Sequence, residues 1–234
     1  MPALPATGSS MRDRYRAQVR QEVKEAALRQ LAAAGPSGLS VSAIGKELGV
    51  SGPALYRYFA SRDDLLTELV IDAYDDLARA VRAAAGPAAS PAPARVPRAR
   101  LDAFARAYRA WALAEPHRYR LLYGPPLPGY DAHADRLVDA ARATMDLALE
   151  IIGELGDSAP PLTEPPRPGS PLAGQLTAWG RQHEPAADPA TALRAMLAWS
   201  RLHGFVSLEI AGNFASMGID PDPLFEIQLA GLIT

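Results

Sequence analysis

The stretch SVSAIGKELGVSGPALYRYFASR, residues 40–62, decides the fold of the first third of the chain. Its apolar residues recur at helical spacing on two short segments, the first carrying Val41 and Ile44 and the second carrying Leu55 and Phe59. A tight Gly-Val-Ser turn joins the two segments. Because helices this short are not stable alone, they must pack on a longer neighbour.

Serines mark the starts of these helices. Ser40 is predicted to cap the first short helix, and Ser51 is predicted to begin the second, which runs to about Phe59. Ser61 is predicted to cap a fourth helix over residues 62–85, with two aspartates in the first turn, where carboxylates favour the helix dipole. Each start therefore has a local chemical signal.

A longer helix precedes the two short ones. Residues 12–34 contain neither proline nor glycine, and their apolar side chains repeat at helical spacing. Gly35 is predicted to end this helix in the left-handed conformation, since Pro36 cannot continue it. Three helices in this order are typical of a helix-turn-helix, whose second short helix is free to enter a DNA major groove.

The free face of the second short helix carries side chains that suit DNA. Its start is built of small residues, which allow close approach, and Arg57 is the best candidate for a bidentate contact with guanine, worth about 1–3 kcal/mol of discrimination. Arg62 begins the fourth helix, where we expect a phosphate contact. The residues predicted to contact DNA are Ser40, Ser42, Ser51, Gly52, Pro53, Ala54, Tyr56, Arg57, Tyr58 and Arg62.

The charges are divided unevenly along the chain. Residues 12–62 hold nine basic and four acidic side chains, a net charge of +5, so the remainder of a chain whose total is −2 carries −7. A basic head on an acidic body is the electrostatic pattern of a DNA-binding module attached to another domain. The arginines that lead into the first helix are candidates for contacts with phosphates or a minor groove: Arg12, Arg14, Arg16 and Arg20.

The rest of the chain is predicted to be helical as well. A linker over 86–97 and a proline-rich loop over 156–174 interrupt it, and no segment alternates as a strand would. Asp131 and Asp188 are predicted helix caps. The predicted helices cover residues 98–114, 117–123, 132–155, 189–215 and 221–233.

These elements predict an all-α fold, with an N-terminal three-helix helix-turn-helix domain joined by a long helix to a helical-bundle regulatory domain. The predicted domains are a disordered lead over residues 1–11, the helix-turn-helix domain over 12–60, and a helical ligand-binding and dimerisation domain over 61–234.

Composition excludes several classes of protein. The chain of 234 residues is 48% apolar and 21% charged, as globular proteins are, and it contains no cysteine. Disulfides, thiol nucleophiles and thiolate metal sites are therefore excluded. No run approaches the roughly 20 apolar residues of a membrane span, and no secretory leader is present, which predicts a cytoplasmic protein without a membrane partner.

Enzyme and metal signatures are absent. The chain has no glycine-rich phosphate loop, no G-x-S-x-G and no H-E-x-x-H, so neither catalytic residues nor a cofactor are predicted. Asp131, His133 and Asp135 alternate, but side chains two apart on a helix do not face each other, so no metal site is predicted. Asp72, Asp75 and Asp76 are interpreted as a solvated face.

Residues 40–66, SVSAIGKELGVSGPALYRYFASRDDLL, resemble the DNA-binding domain of TetR-type transcriptional regulators. The Leu-Tyr-x-Tyr-Phe block at 55–59 and the spacing around the glycine turn carry the resemblance. Three residues depart from the common pattern. Gly45 replaces alanine, at a cost of about 1 kcal/mol in helix propensity, Arg62 replaces lysine, and Gly52 stands where relatives often have polar residues.

The second half resembles one regulatory-domain branch of the same family, through residues 114–124, 126–130 and 199–209. The resemblance implies an all-helical ligand-responsive domain whose last two helices form a four-helix bundle across a homodimer. The helix from Pro189 is apolar on more than one face, which agrees with a partner on one side. The predicted dimer residues are Met196, Leu202, Phe205, Leu208, Leu224, Ile227 and Leu229.

A group of aromatic residues in this half predicts an apolar effector pocket, although ordinary core packing is the alternative for any one of them. His203 lies in an apolar stripe and is a candidate for a hydrogen bond to the ligand or for pH sensing. The predicted ligand-binding residues are Phe104, Tyr108, Trp111, Tyr119, Tyr123, Met145, Trp199 and His203.

The sequence thus supports a homodimeric, sequence-specific regulator that binds an operator in double-stranded DNA. We expect a repressor that an unidentified small-molecule effector releases from the operator. The alternative is a small-molecule binding or interaction protein with a degenerate helix-turn-helix, which Gly52 and Ala54 support because they stand in place of polar base readers.

Overall fold

A computed structural model describes residues 11–35, 38–87, 95–124, 130, 135–159, 161–162, 164–183 and 185–233. Within these ranges every regular element is a helix, which confirms the predicted all-α fold. The α-helices are α1 (Met11–Ala34), α2 (Val41–Glu47), α3 (Gly52–Leu55), α4 (Arg62–Ala85), α5 (Arg95–Ala114), α6 (Pro116–Tyr123), α7 (Asp135–Leu155), α8 (Pro171–Gly180), α9 (Pro189–Ile210), α10 (Asn213–Ser216) and α11 (Pro221–Ile233).

The chain divides into two compact units. The first comprises Met1–Val70 with Arg120–Ala132, and the second comprises Ile71–Tyr119 with His133–Thr234. This division differs from the boundary predicted after residue 60. The first two turns of α4 belong to the first unit, because Leu65, Leu66 and Leu69 are buried in one core with residues of α1, α2 and α3.

Most of the predicted caps are confirmed. The Ser40 hydroxyl accepts from the amide of Ala43 at 3.3 Å, and the Ser61 hydroxyl accepts from the amide of Asp64 at 3.0 Å. Gly35 closes α1 with a φ of 66°. A further cap is Asp188, whose carboxylate accepts from the amides of Ala190 and Thr191. The predicted cap Asp131 lies outside the described residues.

The helix α3 is shorter than predicted, since it ends at Leu55 and not at Phe59. The next residues form tight turns, in which the amide of Arg57 donates to Ala54 and the amide of Tyr58 donates to Leu55. This tightening turns the Phe59 ring into the core, where it is only 2% exposed.

The helix α8 was not predicted. Ser170 caps it by accepting from the amide of Ala173 at 3.2 Å, and Pro171 occupies the first helical position, where proline is tolerated. Ser170–Pro171 is a capping residue followed by proline. Asp188–Pro189 has the same pattern, and there it predicts the start of α9 correctly. The many prolines between residues 160 and 171 predict a loop through residue 174, and this prediction is wrong for the residues of α8.

The second unit is built on α5, α7 and α9, which pack against one another. The helix α9 ends at Ile210 and not at Ala215 as predicted, because Gly212 adopts a φ of 77° and starts the separate short helix α10. No helix within the described ranges is long and apolar enough to cross a membrane.

Candidate nucleic-acid interface and ligand site

The helices α2 and α3 approach each other closely at Gly45. A Cβ at this position would lie 2.8 Å from the carbonyl oxygen of Val50 and 3.0 Å from Cδ1 of Leu55. The sequence suggested only a loss of helix propensity here. The structure adds that glycine permits the close packing of the turn and α3 on α2, which fixes the angle at which α3 is presented.

The segment after α3 is fastened to α1 by Arg20. Nη1 of Arg20 donates to the carbonyl oxygen of Tyr58 at 2.5 Å, its guanidinium lies 4.5 Å from the ring centre of Phe59, and Nη2 pairs with Glu68 at 3.0 Å. Lys24 pairs with the same carboxylate at 3.3 Å. Arg20 was a candidate for a DNA contact. Its three partners give it a structural role, and a DNA contact by Arg20 stays a prediction.

The outer face of α3 and its following turn is open to solvent. Ser51, Pro53 and Arg57 are exposed, and Tyr56 is 55% exposed. Within the described part of the chain the Arg57 guanidinium has no partner, although the Arg57 carbonyl accepts from Arg16 at 3.4 Å. An exposed guanidinium beside an exposed phenol can reach base edges and phosphates.

The other predicted DNA-contacting residues have different surroundings. Gly52 and Ala54 are half-buried, and Ser42 is exposed with its hydroxyl 3.0 Å from that of Ser40. Ser40 itself caps α2, and its amide donates to Oε1 of Gln30 at 2.9 Å. Ser40 is therefore held in the fold by its own hydrogen bonds.

Tyr58 and Arg62 also differ from the expectation. Tyr58 is half-buried against the core of the first unit. Nε of Arg62 donates to the carbonyl oxygen of Leu39 at 3.1 Å, and Nη1 of Arg62 lies 3.4 Å from Asp63. Arg62 thus ties the start of α4 to the segment before α2, and the phosphate contact stays a prediction.

Four of the predicted ligand-binding residues meet in the second unit. The Tyr119 hydroxyl lies 2.8 Å from Nδ1 of His203 and 2.9 Å from Oγ of Ser207. The Trp199 ring stacks on His203 with centroids 5.2 Å apart, and Tyr108 packs edge-on to Tyr119 at 6.2 Å. Burial lowers the pKa of His203, so the neutral imidazole is the favoured form.

The remaining members of the predicted set have other described surroundings. Phe104 is buried in the core, Met145 is half-buried on α7, and Tyr123 belongs to the first unit. Nε1 of Trp111 donates to Asp76 at 3.1 Å. The structure thus groups part of the predicted set, and a ligand-binding role for each member stays a prediction.

Asp76 was interpreted as part of a solvated face, and the structure overturns this. Arg118 and Arg79 both approach its carboxylate at 2.7 Å, in addition to the bond from Trp111. Burial raises the pKa of Asp76, but the bond from Trp111 and the two arginines outweigh it, so the pKa lies below its ordinary value. Asp76 therefore holds α5 and α6 to α4.

A second polar cluster, formed by His183 and Asp146, was not predicted from the sequence. Nδ1 of the buried His183 lies 2.5 Å from Oδ1 of Asp146, and the Trp179 ring packs edge-on to the imidazole with centroids 4.5 Å apart. The contact joins the end of α8 to α7. Since α8 itself was not predicted, neither this pair nor its partners could be placed from the sequence.

The predicted dimer residues separate into two groups. Leu202, Phe205 and Leu229 are buried within the single chain, so they are corrected to core residues. Leu208 is 44% exposed and Ile227 is 71% exposed, whereas Met196 and Leu224 are half-buried. Helical periodicity identified the apolar faces of α9 and α11, but it did not distinguish the inward face from the outward one.

The alternating Asp131 and His133 lie outside the described residues, and the Asp135 side chain is not described. Elsewhere in the described ranges no three His, Asp or Glu side chains are grouped as a metal site requires.

The fold and the exposed face of α3 define a helix-turn-helix DNA-binding protein with a second helical domain. Residues 24–69 match the family model for bacterial regulatory proteins of the TetR family, and residues 101–232 match the model for a tetracyclin repressor-like C-terminal domain. The chain belongs to the TetR family of transcriptional regulators, and it is a DNA-binding regulator, not an enzyme.

Similar proteins agree with this assignment. An HTH-type transcriptional regulator of Mycobacterium tuberculosis is 34% identical over 222 residues, which cover 93% of this chain and 92% of that protein. The crystal structure of the regulatory protein SCO4313 has a TM-score of 0.77 at 41% identity, covering 95% of this chain and 98% of that one. A structure from Rhodococcus sp. RHA1, of unknown function, shares the fold at 24% identity and a TM-score of 0.68, covering 99% of this chain and 97% of that chain.

Proposed function

We propose that this regulator is a homodimeric repressor that places one α3 helix of each subunit in successive major grooves. A small molecule bound in the second unit then releases it from the operator. Two recognition helices of a helix-turn-helix dimer reach half-sites about 34–36 Å apart, one helical turn of DNA. The sequence of each half-site is read mainly by Arg57 and Tyr56.

The observation that carries this proposal is the free guanidinium of Arg57 on the exposed turn after α3. Arg20, Arg62 and Lys24 have internal partners, whereas this guanidinium has none among the described residues. An arginine held at its backbone and free at its tip fits a bidentate contact with guanine O6 and N7.

Sequence-independent binding is assigned to exposed basic side chains of α1 and α2. These groups attract phosphates, while the acidic remainder of the chain is repelled by them. The exposed residues proposed for this role are Arg12, Arg14, Arg16 and Lys46.

Binding of the full-length protein to the DNA upstream of its own gene, measured across a salt series, tests the proposal. We expect the logarithm of the binding constant to fall linearly with the logarithm of the salt concentration, as counterions are released. Competition with random DNA tests the alternative of a degenerate helix-turn-helix. Equal affinity for both DNAs at every salt concentration would contradict sequence-specific regulation.

Replacing Arg57 with alanine is expected to weaken binding to the operator by about 5–150-fold, the equivalent of about 1–3 kcal/mol for a bidentate base contact. Binding to random DNA should change much less. Competitive fluorescence anisotropy measures both affinities. The matched control, Lys46→Ala, should weaken both equally and reduce the salt slope by about one. An equal loss for Arg57→Ala on both DNAs would assign Arg57 to phosphate instead.

The proposed dimer face is formed by outward apolar residues of α9 and α11. Leu197 and Leu208 are 43% and 44% exposed and are eleven residues apart, so they lie on one side of α9. On α11, Ile227 is 71% exposed. Exposed apolar residues grouped on two helices are the usual mark of an interface.

Replacing Ile227 with glutamate is expected to weaken the dimer at least tenfold, because a charge would be buried without a partner. Sedimentation equilibrium measures the dissociation constant. Leu172→Glu is the matched control, since Leu172 is 48% exposed on α8, which carries none of the proposed dimer residues. A dimer that tolerates Ile227→Glu as well as it tolerates Leu172→Glu would place the interface elsewhere.

Release by an effector requires that the ligand bind the two conformations of the dimer with different affinities. Coupling between sites in allosteric proteins is typically about 5–150-fold. We therefore expect the effector to lower operator affinity within that range.

A further inference from the structure

A cleft in the second unit is lined by apolar side chains and by two arginines of one helix. It measures about 120 Å³ and lies between α5, α7, α9 and the end of α11. Its floor consists of Leu101, Ile152, Leu155 and Leu232, which are all more than nine-tenths buried. None of the predicted aromatic ligand residues lines it.

Two arginines of α9 line the same cleft. Arg194 and Arg201 are seven residues apart, which is two helical turns, so they lie on one side of the helix. Nη1 of Arg201 donates to the carbonyl oxygen of Gly231 at 3.3 Å, which holds this side chain beside the end of α11. Arg194 also interacts with the charge of Asp188. The described residues of the lining include these two arginines and no carboxylate, so the lining carries positive charge, part of which Asp188 balances.

We propose that this cleft binds a small amphipathic carboxylate, whose hydrocarbon part lies on the apolar floor and whose oxygens face Arg194 and Arg201. A guanidinium matches the two oxygens of a carboxylate in a planar, bidentate geometry. The volume suits a small hydrocarbon group, since an apolar cavity of about 150 Å³ holds benzene. A short fatty acid or a benzoate-like acid fits the cleft when its hydrocarbon part is enclosed and its carboxylate lies at the open side.

The position of the cleft connects binding with regulation. Its lining includes residues of α9 and α11, which are the helices of the proposed dimer face. A ligand that joins them and prefers one arrangement of these helices shifts the dimer toward it. This regulatory consequence rests on the proposed function, whereas binding in the cleft does not.

Isothermal titration calorimetry of the full-length protein with hexanoate tests the ligand class. Hexan-1-ol and hexylamine, which have the same hydrocarbon chain, are the neutral and cationic controls. We expect hexanoate to bind one per chain and at least about tenfold more tightly than hexan-1-ol, because it adds charge-assisted hydrogen bonds. We expect no binding of hexylamine. Hexylamine or hexan-1-ol binding as tightly as hexanoate would overturn the proposal.

A cleft-filling variant tests the location. Ala198 is half-buried in the lining, so Ala198→Phe places a ring in the space that the ligand would fill. The matched control is Ala178→Phe, on the exposed side of α8. We expect the first variant to abolish hexanoate binding and the second to preserve it, both with an unchanged far-ultraviolet circular dichroism spectrum. Undiminished binding by a folded Ala198→Phe protein would overturn the location.

A second variant tests the role of the charge and does not add a phenylalanine ring to the cleft. Arg194→Gln/Arg201→Gln removes the charge of the two guanidinium groups and adds no bulk to the cleft, so the preference for hexanoate over hexan-1-ol should disappear. A preserved preference would contradict the role of the arginines.

Operator affinity in the presence of hexanoate is measured separately. Binding to the cleft with unchanged operator affinity would support the site and contradict effector release. If hexanoate fails to bind and Ala198→Phe changes only the oligomeric state, the cleft belongs to the interface between subunits and the proposal fails.

Discussion

Replacing Phe59 with alanine is expected to destabilise the first unit by about 3–5 kcal/mol, the usual cost of removing a buried phenylalanine side chain. Phe59 is only 2% exposed and is packed with Ile44 and Leu55 in the core that holds α2 and α3. The substitution also removes the ring that faces the guanidinium of Arg20 at 4.5 Å. Both losses act on the segment that presents the recognition helix.

Hydrogen exchange followed by mass spectrometry measures this effect locally. Peptides that cover residues 41–69 should lose protection, and operator binding should weaken with them. Tyr56→Ala is the matched control, because Tyr56 is an aromatic residue of the same segment but is 55% exposed. We expect this control to leave protection unchanged and to affect only DNA binding. Equal protection in both variants would contradict the core role of Phe59.

Replacing Arg100 with alanine is expected to destabilise the second unit by about 3–5 kcal/mol, as breaking a buried ion pair does. Arg100 is 4% exposed, and its guanidinium contacts groups from two other helices. Nη2 pairs with Glu150 of α7 at 2.7 Å, and Nη1 bonds to Glu154. Nε and Nη2 donate to the carbonyl oxygens of Ala85 and Gly86 at 3.3 and 3.2 Å, which satisfies the open end of α4.

Tryptophan fluorescence during urea unfolding reports on this unit, since it contains all three tryptophans of the chain. The control is Arg106→Ala, which removes an arginine of the same helix that also has two carboxylate partners but whose side chain is 46% exposed. We expect the control to cost less than about 1 kcal/mol.

A triple variant separates the lost pairing from the lost packing. Arg100→Met/Glu150→Gln/Glu154→Gln removes both the cation and the two carboxylates, so it should recover part of the stability lost in Arg100→Ala. A cost for Arg100→Ala no greater than that for Arg106→Ala would contradict the anchoring role.

The helix-turn-helix could be predicted because its signals are local. Ser40 and Ser61 accept from the amides three residues further along the chain, and Gly35 stops α1 at the residue expected. Each of these interactions spans at most a few residues, so the sequence contains both partners side by side. The start of α8 also has a local signal, the pair Ser170–Pro171. The prolines that precede this pair nevertheless favour a loop, and α8 is therefore not predicted.

The candidate DNA face was predicted only in part. The spacing identified the small residues and Arg57 on α3, and the structure leaves Arg57 exposed. The spacing did not show that Arg20 and Arg62 are held by Tyr58 and Leu39, because those partners are 38 and 23 residues away in the chain. An arginine bound in the fold and an arginine free for DNA look the same in a sequence.

By itself, the sequence determined the helical class, the helix-turn-helix and most helix ends, since helical periodicity and capping are properties of neighbouring residues. Only the tertiary structure decided which arginines are free, which apolar faces of α9 and α11 point outward, and where a cleft remains. The physical reason is that burial and pairing depend on contacts between distant segments. Arg98, Arg100 and Arg106 lie within nine residues of α5, yet only Arg100 is buried between two carboxylates and the end of α4.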